Sequence, residues 1–155
     1  MTSEHLLHTI PPIYDGNSKI LILGSFPSVK SREVSFYYGH PQNRFWRVLA
    51  AVLGCAVPSS NEEKTALLQS HNIALWDVIK SCDIVGSSDS SIKNVVPNDI
   101  GTILSSCGIR QIYSNGKTSE KLFNKYIKDT VGRDTVALPS TSPANASYNL
   151  ERLTD

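Results

Sequence analysis

The chain has 155 residues, 40% hydrophobic and 19% charged, with a formal net charge of +1. The apolar share excludes a disordered chain, and a domain of this length buries about 70% of the surface its unfolded chain exposes. The near-zero charge excludes a strong global field for a polyanion, so any attraction to nucleic acid has to be local.

Residues 1–18 hold Pro11-Pro12 and Asp15-Gly16-Asn17 and read as an extended, turning lead-in. The first residues lack the basic stretch and apolar block of a signal peptide, and no run approaches the ~18 apolar residues of a membrane span. Cys55, Cys82 and Cys107 are odd in number, and no pair has C-x-x-C spacing. That pattern points away from a disulfide framework, a zinc site and an iron–sulfur site. The expectation is a soluble, cytoplasmic protein with no membrane partner.

Lys19-Ile20-Leu21-Ile22-Leu23 is a short apolar run closed by Gly24, the pattern of a strand buried on both faces. A loop follows over 24–43, rich in Ser, Pro, Gly and Tyr; loops of this length in compact domains are often functional. Phe45, Val48, Leu49 and Val52 fall at i, i+3, i+4 and i+7, which predicts a helix from Arg44 ended by Gly54, with Trp46 on its buried face. Ser60-x-x-Glu63 is a capping box opening a second helix through His71. Ile73-Ala74-Leu75-Trp76 predicts the second strand, and 77–94 reads as a polar loop. Asn98-Asp99 caps a helix through Cys107, Arg110–Tyr113 is the third strand, and Ser119–Lys128 is a helix. Thr135–Leu138 is the fourth strand, stopped by Pro139, and Asn149–Leu153 opens a last helix.

Short apolar strands alternating with helices predict an α/β fold: a three-layer αβα sandwich with a central four-stranded parallel sheet, in one domain over residues 1–155. Ligands of such sheets bind beyond the carboxyl ends of the strands. That rule selects 24–43, 77–94 and 139–149.

Two of these segments carry motifs: Gly24-Ser25-Phe26-Pro27-Ser28 with Tyr37 to Trp46, and Leu138 to Ala146. On these residues the chain resembles the uracil-DNA glycosylase superfamily. The Gly-x-x-Pro turn and His40-Pro41-Gln42-Asn43-Arg44-Phe45-Trp46 look like the mismatch-specific uracil-DNA glycosylases. The loop Ser142-Pro143-Ala144-Asn145, the Asn43-Arg44-Phe45-Trp46 run and Gly86 to Ile92 look closer to the hypoxanthine-DNA glycosylase branch. Phe26 stands where the mismatch type has a catalytic Asn, Ser142 where its second loop begins with Asn, and Ala146 in place of its apolar wedge. The resemblance to the hypoxanthine branch therefore implies Asn43 and Asn145 as the functional amides, with Ser142 beside them. It implies Gly24, Ser25, Phe26, Pro27, Tyr38 and His40 as substrate-binding residues, the Tyr38 ring stacking on the flipped base. Asp77 and Asp89 stay open.

A base inside a duplex is unreachable, so the nucleotide has to be flipped into a pocket. Breaking the N-glycosidic bond builds positive charge on the sugar and negative charge on the base. An Asn amide, with an acceptor oxygen and two N–H donors, can orient water or donate to the departing base. This chemistry calls for no metal and no cofactor. The implied activity is that of a monofunctional DNA glycosylase, acting as a monomer on DNA containing a deaminated base, with hypoxanthine first. Uracil excision from mismatches is the alternative, and a DNA-binding domain without catalysis is a third reading, kept open by Phe26. Asn43 also suits a helix N-cap, and Ser142 and Asn145 suit a turn. Gly116-Lys117-Thr118 lacks the earlier glycine of a P-loop, where Gln111 stands. Lys117, Lys121, Lys125 and Lys128 share a helical face that reads as solvated.

Overall fold

The computed structural model describes residues 4–27, 29–34, 36–39, 43–86 and 88–141. In chain order the elements are β1 (Glu4–Leu7), β2 (Ile20–Gly24), α1 (Val29–Val34), α2 (Phe45–Leu53), α3 (Asn61–Ser70), β3 (Ile73–Asp77) and β4 (Ile79–Ile84). A 3-10 turn at Asp89–Ser91 leads to β5 (Lys93–Pro97), α4 (Ile100–Ser106), β6 (Gln111–Asn115), α5 (Lys117–Tyr126), α6 (Lys128–Val131) and β7 (Thr135–Leu138).

Strands β3-β2-β6-β7 form the expected four-stranded sheet, parallel throughout. Successive strand side chains point to opposite faces. Leu21 and Leu23 of β2 therefore enter one core, with Ile100 and Ile103 of α4 and Phe123 of α5. Ile22 enters the other, with Phe45 and Trp46 of α2 and Leu68 of α3. Helices on both faces make the three layers. The capping box of α3 forms as its sequence predicts: Glu63 N donates to Ser60 Oγ at 3.1 Å, and Ser60 N donates to Glu63 Oε2 at 3.0 Å. Ser60→Ala is expected to cost about 1 kcal/mol, read as a fall in Tm of about 2–4 °C for a chain of this size.

Several expectations are corrected. Residues 77–94 are not one continuous loop: β4 begins two residues after β3 ends and pairs antiparallel with β1 and β5 in a second, three-stranded sheet. Register shifts between Ile79, Ser81 and Asp83 break the alternation that would have marked β4 as a strand. Its Ile79, Cys82 and Ile84 form a small core of their own. The lead-in supplies β1, and Ile13 bridges Leu75. The 24–43 loop contains α1. The third strand runs on to Asn115, and the helix after it starts at Lys117. Asp99 stands at the N-cap of α4 without a side-chain cap bond; Asn98 instead donates to Asp77 O at 2.9 Å and Ile79 O at 3.1 Å. The last helix predicted at Asn149–Leu153 lies outside the described residues. Among the described residues no helix is long and apolar enough to cross a membrane.

Candidate active site

Strands β2 and β3 end side by side, Gly24 opposite Asp77. Glycine is required there by space: a Cβ would collide with Asp77 Oδ1 and stand 3.2 Å from Tyr38 Oη. The chain beyond Gly24 is pinned to the start of β4, Val78 N donating to Gly24 O at 2.9 Å and Ile79 N to Ser25 O at 3.1 Å. Phe26 packs on the small core of Ile79, Cys82 and Ile84. The Arg32 guanidinium lies 5.7 Å from its ring centroid and donates to Pro27 O at 3.1 Å. Ser25, Phe26 and Pro27 thus form the wall behind Gly24.

Asp77 is 4% exposed. A buried carboxylate is costly unless it is paired, and its partner is His8, just beyond β1, with Nε2 2.8 Å from Asp77 Oδ2 and both side chains buried. His8 is held edge-on to Phe26 at 6.0 Å and against Tyr37 at 6.1 Å. Asp77 Oδ1 forms no hydrogen bond with a described residue.

A second polar cluster centres on Thr141. Asn43 Oδ1 accepts from Thr141 Oγ1 at 2.9 Å and from Phe45 N at 2.9 Å. Thr141 Oγ1 accepts from Asn115 Nδ2 at 3.1 Å, and Thr141 N donates to Asn115 Oδ1 at 3.2 Å. Arg44 N donates to Thr141 O at 3.0 Å. Asn43 is not itself the N-cap of α2 that the capping alternative expects; Arg44 stands there without a side-chain cap bond, and Asn43 holds the entry to the helix through a local Asx-type bond to Phe45 N. The two donors occupy its oxygen. Its Nδ2 bonds to no described residue and keeps two N–H donors to offer.

Tyr38 lies between the clusters. Its ring stacks on Phe45 at 4.1 Å and 15°, so one of the two faces expected to receive a base is already covered. Its hydroxyl is buried with no hydrogen-bond partner among the described residues. Burial, and after it the Asp77 carboxylate, push the phenol above its ordinary pKa; the Asn115 amide, close to the hydroxyl but not in hydrogen-bond geometry with it, opposes them. Trp46, by contrast, is core: 5% exposed, with Nε1 donating to Tyr37 O at 3.1 Å. A cleft of about 460 Å³ starts at Asn115 and Thr141, but it is apolar and runs along α2 toward Ile20 and Ile73, away from the polar groups.

Of the residues expected at the site, Gly24, Tyr38 and Asn43 come together. His40, Ser142 and Asn145 lie outside the described residues. The side chain of Asp89 does too. His8, Asn115 and Thr141 were not anticipated from the sequence. Asn115 had one usable signal, its place just before a Gly at a strand–helix junction on the carboxyl side of the sheet.

The model of the uracil DNA glycosylase superfamily matches residues 11–155. The chain belongs to this superfamily. It is 36% identical over 137 residues to a hypoxanthine DNA glycosylase of Methanosarcina barkeri, covering 87% of this chain and 85% of that one. A hypoxanthine DNA glycosylase of Methanosarcina acetivorans is 35% identical over 144 residues, covering 92% and 90%. A proposed uracil DNA glycosylase from Methanosarcina acetivorans, solved by solution NMR, superimposes with a TM-score of 0.80 at 34% identity, covering 94% of this chain and 90% of that chain. The superfamily fold is thus the frame that brings the carboxyl ends of β2, β3 and β6 to one site.

Proposed function

We propose that this superfamily member is a monofunctional DNA glycosylase that removes a flipped, deaminated base from DNA, hypoxanthine foremost. The observation that carries the reading is the convergence of Asn43 and Asn115 on Thr141 at the carboxyl ends of the parallel sheet. The names of the two Methanosarcina relatives support the choice of base.

In the proposed reaction the C1′–N bond breaks and its electron pair leaves with the base. Water adds its oxygen to C1′ and loses a proton, and the base gains one. Asn43 suits donation to the departing base, because its oxygen is already engaged and its Nδ2 is not. Donors fixed before the reaction stabilise charge without having to reorganise as it forms. Ser142, next in sequence to Thr141, and Asn145 keep the roles that the family resemblance gives them, as do Gly24, Ser25, Phe26, Pro27 and His40 for the substrate, and Tyr38 remains a substrate-binding residue. The protein acts as a cytoplasmic monomer in this reading.

The test is strand nicking of duplexes carrying one inosine or one uracil, developed with alkali. Cleavage at inosine is expected. Cleavage at uracil alone would move the protein to the mismatch type. Cleavage of neither, with binding retained, would make it a binding domain. With a net charge of +1, few phosphates are neutralised, and the slope of log affinity against log salt is expected at roughly −2 to −4. A slope about twice as steep would reveal a continuous basic groove.

A further inference from the structure

Tyr38 carries two costs at one residue. Its backbone is left-handed, at φ 53, a region that residues other than glycine seldom adopt. Its hydroxyl is buried without a partner among the described residues, where buried polar atoms are nearly always bonded. Costs of this kind persist at functional sites.

The surroundings say what the hydroxyl is for. Stacking on Phe45 fixes the ring, and Tyr38 Oη and Asp77 Oδ1 both lie within 3.2 Å of the place a Gly24 Cβ would occupy. Asp77 Oδ2 is tied to His8, and the buried Oδ1 has no hydrogen bond to a described residue. An O–H donor and a carboxylate acceptor thus border one point above Gly24, neither atom hydrogen-bonded to a described residue. We propose that Tyr38 Oη and Asp77 Oδ1, with His8 as the positioning residue for Asp77, form a donor–acceptor pair that reads the adjacent C=O and N–H of a deaminated base.

This inference rests on the glycosylase reading above and adds the contact that separates a deaminated base from its amino parent. Hypoxanthine and uracil both present a ring N–H beside a carbonyl. Adenine and cytosine present a ring-nitrogen lone pair beside an amino group, which reverses both contacts. A lone pair set against a carboxylate oxygen leaves both unbonded, and sites built to hydrogen-bond a group reject analogues that lack it far more strongly than apolar pockets do. As the base leaves with its electron pair, its carbonyl oxygen gains negative charge and the bond from Tyr38 strengthens. The raised phenol keeps its proton for this role.

The experiment uses a duplex with one inosine. Tyr38→Phe is expected to slow single-turnover excision roughly 10²-fold, yet raise Tm by about 2–4 °C because an unsatisfied buried hydroxyl is gone. His8→Leu is expected to slow excision as well, and His8→Gln, which keeps an N–H donor, to recover part of the rate. A Tyr38→Phe rate within twofold of wild type overturns the pair and leaves ring stacking as the role of Tyr38. A slow Tyr38→Phe with lowered Tm makes the hydroxyl structural and overturns it too. A His8→Gln variant no faster than His8→Leu removes His8 from the proposal. If the His8 variants do not fold, Tyr38→Phe decides alone. Wild-type protein that excises neither inosine nor uracil defeats the glycosylase reading itself, a result distinct from all of these.

Discussion

Asn43→Asp is expected to lower single-turnover excision of hypoxanthine by about 10²–10³-fold while leaving the fold intact. The substitution keeps the oxygen that accepts from Phe45 N and Thr141 Oγ1 and replaces only the Nδ2 donors. A carboxylate beside the N-terminus of α2 is also favourable to the helix, so Tm should hold or rise. Asn43→Ala removes both kinds of contact. It should show the same loss of rate together with lost stability of the order that deleting a side chain bonded to a helix's first turn costs, about 0.5–2 kcal/mol. The pair of variants separates the two uses of this residue, when excision rate and Tm are measured on each. An Asp variant with a near-native rate would leave Asn43 only its part in starting α2.

Gly24→Ala is expected to damage stability and excision together. Its Cβ would collide with Asp77 Oδ1 and crowd Tyr38 Oη at 3.2 Å, and neither can retreat easily. Asp77 is bonded to His8 across a buried interface, and Tyr38 is stacked on Phe45. Overpacking of this kind typically costs 1–3 kcal/mol, or several degrees in Tm. Because the added methyl displaces the groups at the carboxyl ends of β2 and β3, the rate should fall even well below Tm, where nearly all molecules are folded. Gly101→Ala is the control. Its Cβ would meet only Asp99 Oδ1, at 3.3 Å, on the first turn of α4, and alanine favours a helix over glycine. Excision by Gly24→Ala at the control rate at low temperature would place the reacting base elsewhere.

The parallel sheet was legible because its strands are short apolar runs, two of them closed by Gly24 and Pro139, and the runs of β2 and β3 are buried on two faces. The end of β6 was not, because its polarity misleads. Ser114 is fully buried, with Oγ 2.7 Å from Thr135 Oγ1 on the neighbouring strand. Two hydroxyls satisfy each other inside the sheet, so the strand continues through a residue that reads as a loop, and Asn115 arrives at the site unnoticed. Strand β4 was hidden by its shifts of register. The His8–Asp77 pair joins residues 69 positions apart, and nothing in the local pattern of either predicts the other. Asn43 and Tyr38 were legible only through the motif around them; spacing alone offers a helix cap and a loop aromatic.

The second sheet gives the site a dependence on its own margin. β1 is four residues long and mostly exposed, and its ladder to β4 is followed by one more bond, His8 N to Lys80 O at 2.7 Å. Short, exposed edge strands fray with small free energies, well below that of global unfolding. Each fraying event that reaches His8 withdraws the partner of Asp77 without disturbing the parallel sheet. Amide hydrogen exchange at His8 therefore reports the fraction of time that the Asp77 carboxylate spends unanchored, a local opening equilibrium nested inside a protein that is otherwise fully folded.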